Sequence, residues 1–425
     1  MASTKQLAGS ARPSRAPRQL RSEETLAKIA EAVISILADE GPGAVTHRRV
    51  AEIARVSLAS TTYYYESKFE MIAAATERLL AEYVHSFDRV IDRHRQSDPV
   101  VGDLPALMLK LLVNASGHHG RKTLAWCEIM LDCARSTAGH ALARRWLSQM
   151  DKAWTELVLH FGVERPHEVV GPAIDTVMGL LFLTKALGLS PKEINRLFRA
   201  HERFDGVVED LAIAAETNLH YRAQGAIRAA GTRDSILESA VQLLIEGELG
   251  PLSYRAVAKR TGITSAAVAY HFPSSNTLYD AAQCKLFGHS LEHLAGAVTT
   301  VCGQQTVYVT SADLATVTFV REVTEHGPLH LASFSVWLDA TRKAALRPSV
   351  VAFAREMVSL WSRWLDSMGA PARSDYALFA LGHFTGKIVR SLTTGVTTLD
   401  LAPVRGEFEL VFQKIVDAEC PFATD

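Results

Sequence analysis

Three observations predict an all-α protein built from two tandem units. Apolar residues recur at three- and four-residue steps through most of the 425 residues, the period of helices with one face turned to a core. Strand-like alternation is confined to Thr306-Val-Tyr-Val-Thr310, where helix or loop is still expected. The chain also repeats itself: the stretch Thr46–Lys68 returns at Ser253–Ser275, 207 positions later and without a gap.

The elements follow in order. Leu26, Ile29, Ala30, Val33, Ile36 and Leu37 line one face of a helix over 23–41, started by Ser22 and stopped by Gly41-Pro42-Gly43. Thr46 caps a short helix with Val50, Ala51, Ile53 and Ala54 turned inwards, and Ser57 caps the next, about 58–65. Long helices are expected over 69–94, 103–117, 123–137, 140–161, 169–187 and 204–222. The 207-residue offset continues through them: His119-Gly120 returns as His326-Gly327, Asp132 as Asp339, Arg135 as Arg342, and Trp154 as Trp361. Gly162, Gly179 and Gly188 return as Gly369, Gly386 and Gly395, after which the second copy's connection is about seven residues shorter. The repeat therefore covers a whole domain. The expected division is a basic arm, 1–21; a first short-helix domain, 22–70, and helical domain, 71–220; a small, flexible linker, 221–232; and a second pair, 233–277 and 278–425.

Composition sets the bounds. Hydrophobic residues make up 48% and charged residues 21%, as in a folded soluble chain, and the net charge of −1 gives no global pull towards nucleic acid. Five scattered cysteines without a CxxC pair favour reduced thiols over a disulfide framework or a zinc site. No run of about 18 apolar residues suggests a membrane span, and the N-terminus lacks a signal peptide's apolar core. A cytoplasmic protein is expected. The first 21 residues carry Lys5, Arg12, Arg15, Arg18 and Arg21 with no acidic residue. They read as a disordered tail or as an arm along DNA phosphates.

Two short helices with a tight turn form a helix-turn-helix, whose second helix enters a major groove. Here the sequence resembles the TetR family of bacterial transcriptional regulators. The first copy matches through Ile29, Ala32, Gly41, Thr46, Val50-Ala51, Ala54, Val56-Ser57, Tyr65, Ser67 and Lys68. It departs at Arg55, where the family has Gly, and at Thr62-Tyr63-Tyr64-Tyr65 for Tyr-x-His-Phe. The second keeps Ile236, Ala240, Ser253, Val257-Ala258, Gly262-Ile263-Thr264 and Tyr270-His271-Phe272-Pro273-Ser274, with Glu248 for Gly, Ala269 for Tyr and Ser275 for Lys. The resemblance implies two TetR-like units, each a DNA-binding domain followed by a helical ligand-binding and dimerisation domain. The last two helices of each would pack as a four-helix bundle, at 169–187 with 204–220 and at 376–393 with 406–418.

Arg48 and Arg255 hold equivalent places, where an Arg can fork onto guanine, a contact worth about 1–3 kcal/mol in discrimination. Leu58, Ala59 and Ser60, and Ser265, Ala266 and Ala267, suit close approach to base edges. Tyr63, Tyr64, Tyr270 and His271 offer phosphate donors and Lys68 a charge, which position without specifying sequence. Thr46, Ser57, Ser253 and Thr264 are helix caps first, with phosphate contact as a second use. The two reading sets differ, so two unlike half-sites are expected, with the second head the weaker. Ligand contact is expected at His118, His119, Trp126, Glu128 and Asp132, and at His326, His330, Trp337 and Asp339; no metal or cofactor site is expected. The function implied is a repressor released from its operator by a small molecule, with the two halves paired inside one chain. An alternative is a homodimer in which the second motif is degenerate. A remote one is an all-helical enzyme or carrier, although no nucleophile elbow, phosphate loop or HExxH is present.

Overall fold

The computed structural model describes residues 18–96, 101–209, 227–247, 252–302, 310–395, 397 and 401–418, and among them no strand occurs. The first half contains α1 (Arg18–Glu40), α2 (His47–Ala54), α3 (Leu58–Tyr64), α4 (Lys68–Arg95), α5 (Leu104–Ser116), α6 (Gly120–Cys133), α7 (Thr137–His160), α8 (Pro166–Leu187) and α9 (Pro191–Phe198). The second contains α10 (Ile227–Ile245), α11 (Tyr254–Thr261), α12 (Ser265–His271), α13 (Ser275–Cys302), α14 (Ser311–Thr324), α15 (Gly327–Arg342), α16 (Arg347–Ser367), α17 (Ser374–Thr394) and α18 (Val404–Val416). The bounds of α2, α3 and α4 recur in α11, α12 and α13 at an offset of 207.

Caps explain most boundaries. Ser57, Ser67, Asp103, Ser136, Ser253 and Thr264 each accept a backbone N–H from three residues on, satisfying an orphan donor of the first turn. Three expectations need correction. The helix expected from residue 23 begins at Arg18, inside the segment assigned to the arm. Residues 227–232, assigned to a flexible linker, are the first turns of α10. Helix α9 was not expected, although Ser190 and Glu193 form a full capping box around Pro191, a signal visible in the sequence. Residues 1–17 of the arm, 221–226 of the linker and 210–220 of the expected last helix lie outside the described residues.

The two halves meet along α8 and α17. A Cβ placed on Gly179 would lie 2.0 Å from the Gly382 carbonyl oxygen, and one on Gly386 would lie 1.6 Å from that of Asp175. Backbones approach this closely only where side chains are absent. Gly179 and Gly386 are equivalent in the repeat and face each other, since each would place its Cβ within 3 Å of the other's backbone N. Helix α8 is long and apolar enough to cross a membrane by composition, but 83% of that window is buried inside the molecule. Beside the crossing, Asp175 is fully buried and pairs with Arg390 and, at 3.4 Å, with Lys387, which also pairs with Glu407. Burial opposes the Asp175 charge, but Arg390 and Lys387 outweigh it and hold the carboxyl below its ordinary value.

Candidate nucleic-acid interface and ligand cavity

Helices α3 and α12 stand on scaffolds built alike. Thr61 and Val268 are both fully buried and anchor the inner face of each. Tyr63 and Tyr270, also equivalent, are 79% and 85% exposed on the outer face, and each ring meets its neighbour edge-on, Tyr64 at 5.1 Å and His271 at 5.3 Å. Leu58, Ala59, Ser265 and Ala266 are exposed, and Ser60 and Ala267 half-buried. Arg48 and Arg255 are exposed at the second position of α2 and α11, as is Lys68 at the start of α4. Neighbouring cations are instead tied: Arg49 to Glu40 and Glu52, and Arg260 to Glu246.

Two residues depart from their expected places. The Tyr64 hydroxyl lies 2.9 Å from Ser22 Oγ, so it fastens α3 to α1 and does not face outwards. His271 is only half-exposed. The caps Thr46, Ser57, Ser253 and Thr264 spend their oxygens on the N–H groups of Arg49, Ser60, Ala256 and Ala267. Arg55, where a Gly was expected, holds φ 54, and its equivalent Gly262 holds φ 73. The turn needs a left-handed residue, and Arg55 adopts that conformation at a cost glycine avoids.

The helical domains of the two halves differ. In the first, Tyr83, Trp126, Trp146 and Trp154 pack together, and Trp154 Nε1 donates to the Tyr83 hydroxyl at 2.7 Å. In the second, Ser290 stands at the place of Tyr83 and Ser333 at that of Trp126. Their hydroxyls lie 2.5 Å apart, and a narrow cavity of about 40 Å³ opens beside them, walled by Trp337, Phe353, Trp361, Trp364 and Phe384. The indole Nε1 groups of Trp337, Trp361 and Trp364 are buried without a partner. Trp361 is the equivalent of Trp154, and it has lost its acceptor with the tyrosine.

Residues 236–282 match the family model described as bacterial regulatory proteins, tetR family, and residues 310–418 match that described as Tetracyclin repressor-like, C-terminal domain. Both matches support the TetR family. No curated protein matches the chain. The TetR match at the helix-turn-helix falls on the second motif, which sequence reasoning had ranked the weaker, and the first half lies outside both matched segments.

Of the ligand candidates, Trp337 and His330 line the second half's cavity, and the others do not. His119 is exposed at the start of α6 beside His118. Trp126 fills the first half's core, and Asp132 is half-buried. Asp339 accepts from Tyr279 and Gln283 at 3.1 and 2.7 Å, a structural role that ties α15 to α13. Glu128 is buried and meets Arg342 of the other half at 2.5 Å. Burial pushes its carboxyl up to about 7, and Arg342 offsets only part of that. The same guanidinium donates to the carbonyls of Leu37 and Ala38 at 2.8 and 3.0 Å, at the C-terminal end of α1. One side chain of α15 thus closes the last turn of α1, the helix against which α2 packs.

Sequence reasoning missed Ser290, Ser333, Trp361 and Arg342. The signal for the first three was present in the repeat: two aromatic positions of one copy become serines in the other. His326 also proves to belong to a polar cluster, since its ring lies 4.1 Å from that of His293, next to Glu322.

Proposed function

We propose that the chain is a sequence-specific DNA-binding transcriptional regulator whose two TetR-like halves pair with each other and read two unlike half-sites. The observation that carries this reading is the contact of Gly179 with its own equivalent, Gly386. Self-contact of equivalent residues is the mark of an isologous interface, and here it lies within one chain. The matched exposure of Tyr63 and Tyr270, and of Arg48 and Arg255, supports two working heads over one degenerate one. The test is a gel shift on a two-half-site operator with Arg48→Ala and Arg255→Ala made separately, alongside light scattering. Each variant should weaken binding about 5- to 150-fold, equivalent to 1–3 kcal/mol, and the complex should contain a single 46.4 kDa chain. No effect from Arg255→Ala, or a complex of twice that protein mass, would favour the homodimer.

The effector site belongs to the second half. At about 40 Å³ the cavity is smaller than an aromatic ring needs. A small apolar effector carrying a hydrogen-bond acceptor therefore enters only as the aromatic walls part, and its acceptor meets Trp361 Nε1 as the Tyr83 oxygen meets Trp154 in the first half. Ser290 lies on α13, which starts directly after the second reading helix, so a ligand pressing on Ser290 moves that head. Operator affinity falls because the ligand binds better to the arrangement in which the heads no longer fit both half-sites. Restoring the first half's residue with Ser333→Trp should abolish effector release while leaving operator affinity within about twofold. An unchanged response would remove the cavity from the mechanism.

A further inference from the structure

Three elements of the second half bring together a group that no repeat position foretells. His293 projects from α13, Glu322 from α14, and His326 from the residue that opens α15; one candidate ligand atom from each lies within 4.8 Å of the others. Glu322 is fully buried, and both its oxygens lie 2.8–2.9 Å from His293 Nε2. A third imidazole, His330, reaches the same carboxylate at 2.8 Å. His326 Nε2 is shielded from water and has no hydrogen-bond partner. An unmet buried polar atom costs about 1–3 kcal/mol. A tetrahedral ion would give each of these atoms a bond.

We propose that His293, Glu322 and His326 form a binding site for a divalent transition-metal ion of the zinc or nickel class, with His330 beside it. Two imidazoles and one carboxylate are the donor set such ions take, at about 2.0–2.2 Å, and the set leaves a coordination position open. Calcium and magnesium are disfavoured, because they require a shell of oxygens. His330 either becomes a fourth ligand or stays hydrogen-bonded to Glu322 and fixes its orientation, as partners around metal ligands do. The site is private to the second half: the equivalents of His293, Glu322 and His330 are Ser86, Ala115 and Thr123, and only His119 matches, at His326. Coordination fastens α13 to α14 and α15 one turn beyond Ser290. The metal therefore stiffens the lever to the second reading head, a consequence that rests on the regulator reading; the site itself does not.

The test uses the full chain stripped by a chelator and titrated with Co²⁺, followed by visible ligand-field absorption, then displaced with Zn²⁺. One Co²⁺ per chain should bind with an absorption typical of low coordination number, and Zn²⁺ should abolish it. His293→Gln and His326→Gln should each weaken binding at least about tenfold, and His119→Gln should not. Circular dichroism verifies that each variant is folded; His326 makes no hydrogen bond through Nε2, so its variant keeps the fold. Absence of a stoichiometric ion, or binding that survives both the His293 and His326 substitutions, overturns the site without touching the DNA-binding reading. A metal that binds as expected but leaves operator affinity unchanged overturns the lever and retains the site.

Discussion

Replacing Arg342 by Ala removes the one guanidinium that joins α15 to both α6 and the end of α1. The structure sets the scale. Glu128 is only 5% exposed, and its partner lies at 2.5 Å, so truncation leaves a buried carboxyl without its counter-charge. Breaking a buried pair this way costs about 3–5 kcal/mol. The carbonyls of Leu37 and Ala38 lose donors as well, but they lie at a helix end that water can reach after truncation, so about 1 kcal/mol each is an upper figure. The expected loss is about 3–7 kcal/mol in total, a large part of the 5–15 kcal/mol that holds a typical domain. Urea unfolding with a double-mutant cycle reads it: Arg342→Ala, Glu128→Gln, and both. The double variant should cost less than the sum of the singles by about 1.5–3 kcal/mol, because the two side chains share one interaction. A loss under about 1 kcal/mol for Arg342→Ala, or strict additivity in the cycle, would refute the claim that this bridge couples the halves.

Other outcomes follow from the same contacts. Gly386→Ala puts a methyl group where only the Asp175 backbone fits; despite a helix-propensity gain of about 1 kcal/mol, net destabilisation should reach about 2–3 kcal/mol, read from the urea midpoint. Arg55→Gly relieves the left-handed turn after α2 and should raise stability by about 1 kcal/mol without altering the reading helix. Glu128 has a folded value near 7 against an ordinary 4.5, so the folded chain binds more protons and stability should fall as pH rises from about 4.5 to 7. The slope is at most about 1.4 kcal/mol per pH unit, and Glu128→Gln should flatten it in unfolding curves taken across that window.

Much of this was legible in the sequence because it is local. Caps such as Ser57 and Thr264, and the short helices they open, announce themselves through neighbours a few residues away. The partners of Glu128 were not legible: it meets a side chain 214 positions on, and no periodicity encodes a crossing of that span. Tyr64 misled for a related reason, since its exposed-looking position is overruled by Ser22 on another helix. The cavity is an intermediate case. Its walls were visible only as differences between the copies, at Tyr83 and Ser290 and at Trp126 and Ser333, whereas attention to the repeat favours what the copies share. Reading the first head as the stronger relied on Lys68 against Ser275, on Ala269 where the family has Tyr, and on the basic residues before the first head.

The meeting of Gly179 with Gly386 also bears on how such a chain behaves at low abundance. When two separate subunits must associate before they grip DNA, occupancy falls with the square of their concentration, and dilution silences the switch. Under the proposed function the partner surface travels on the same polypeptide, so its local concentration stays fixed at the level the tether sets, however few molecules a cell holds. Binding then scales with the first power of the chain's abundance. The partners are also never exchanged for those of another molecule, and this lets the two copies diverge, one keeping a filled core and the other opening a cavity, without producing mismatched pairs.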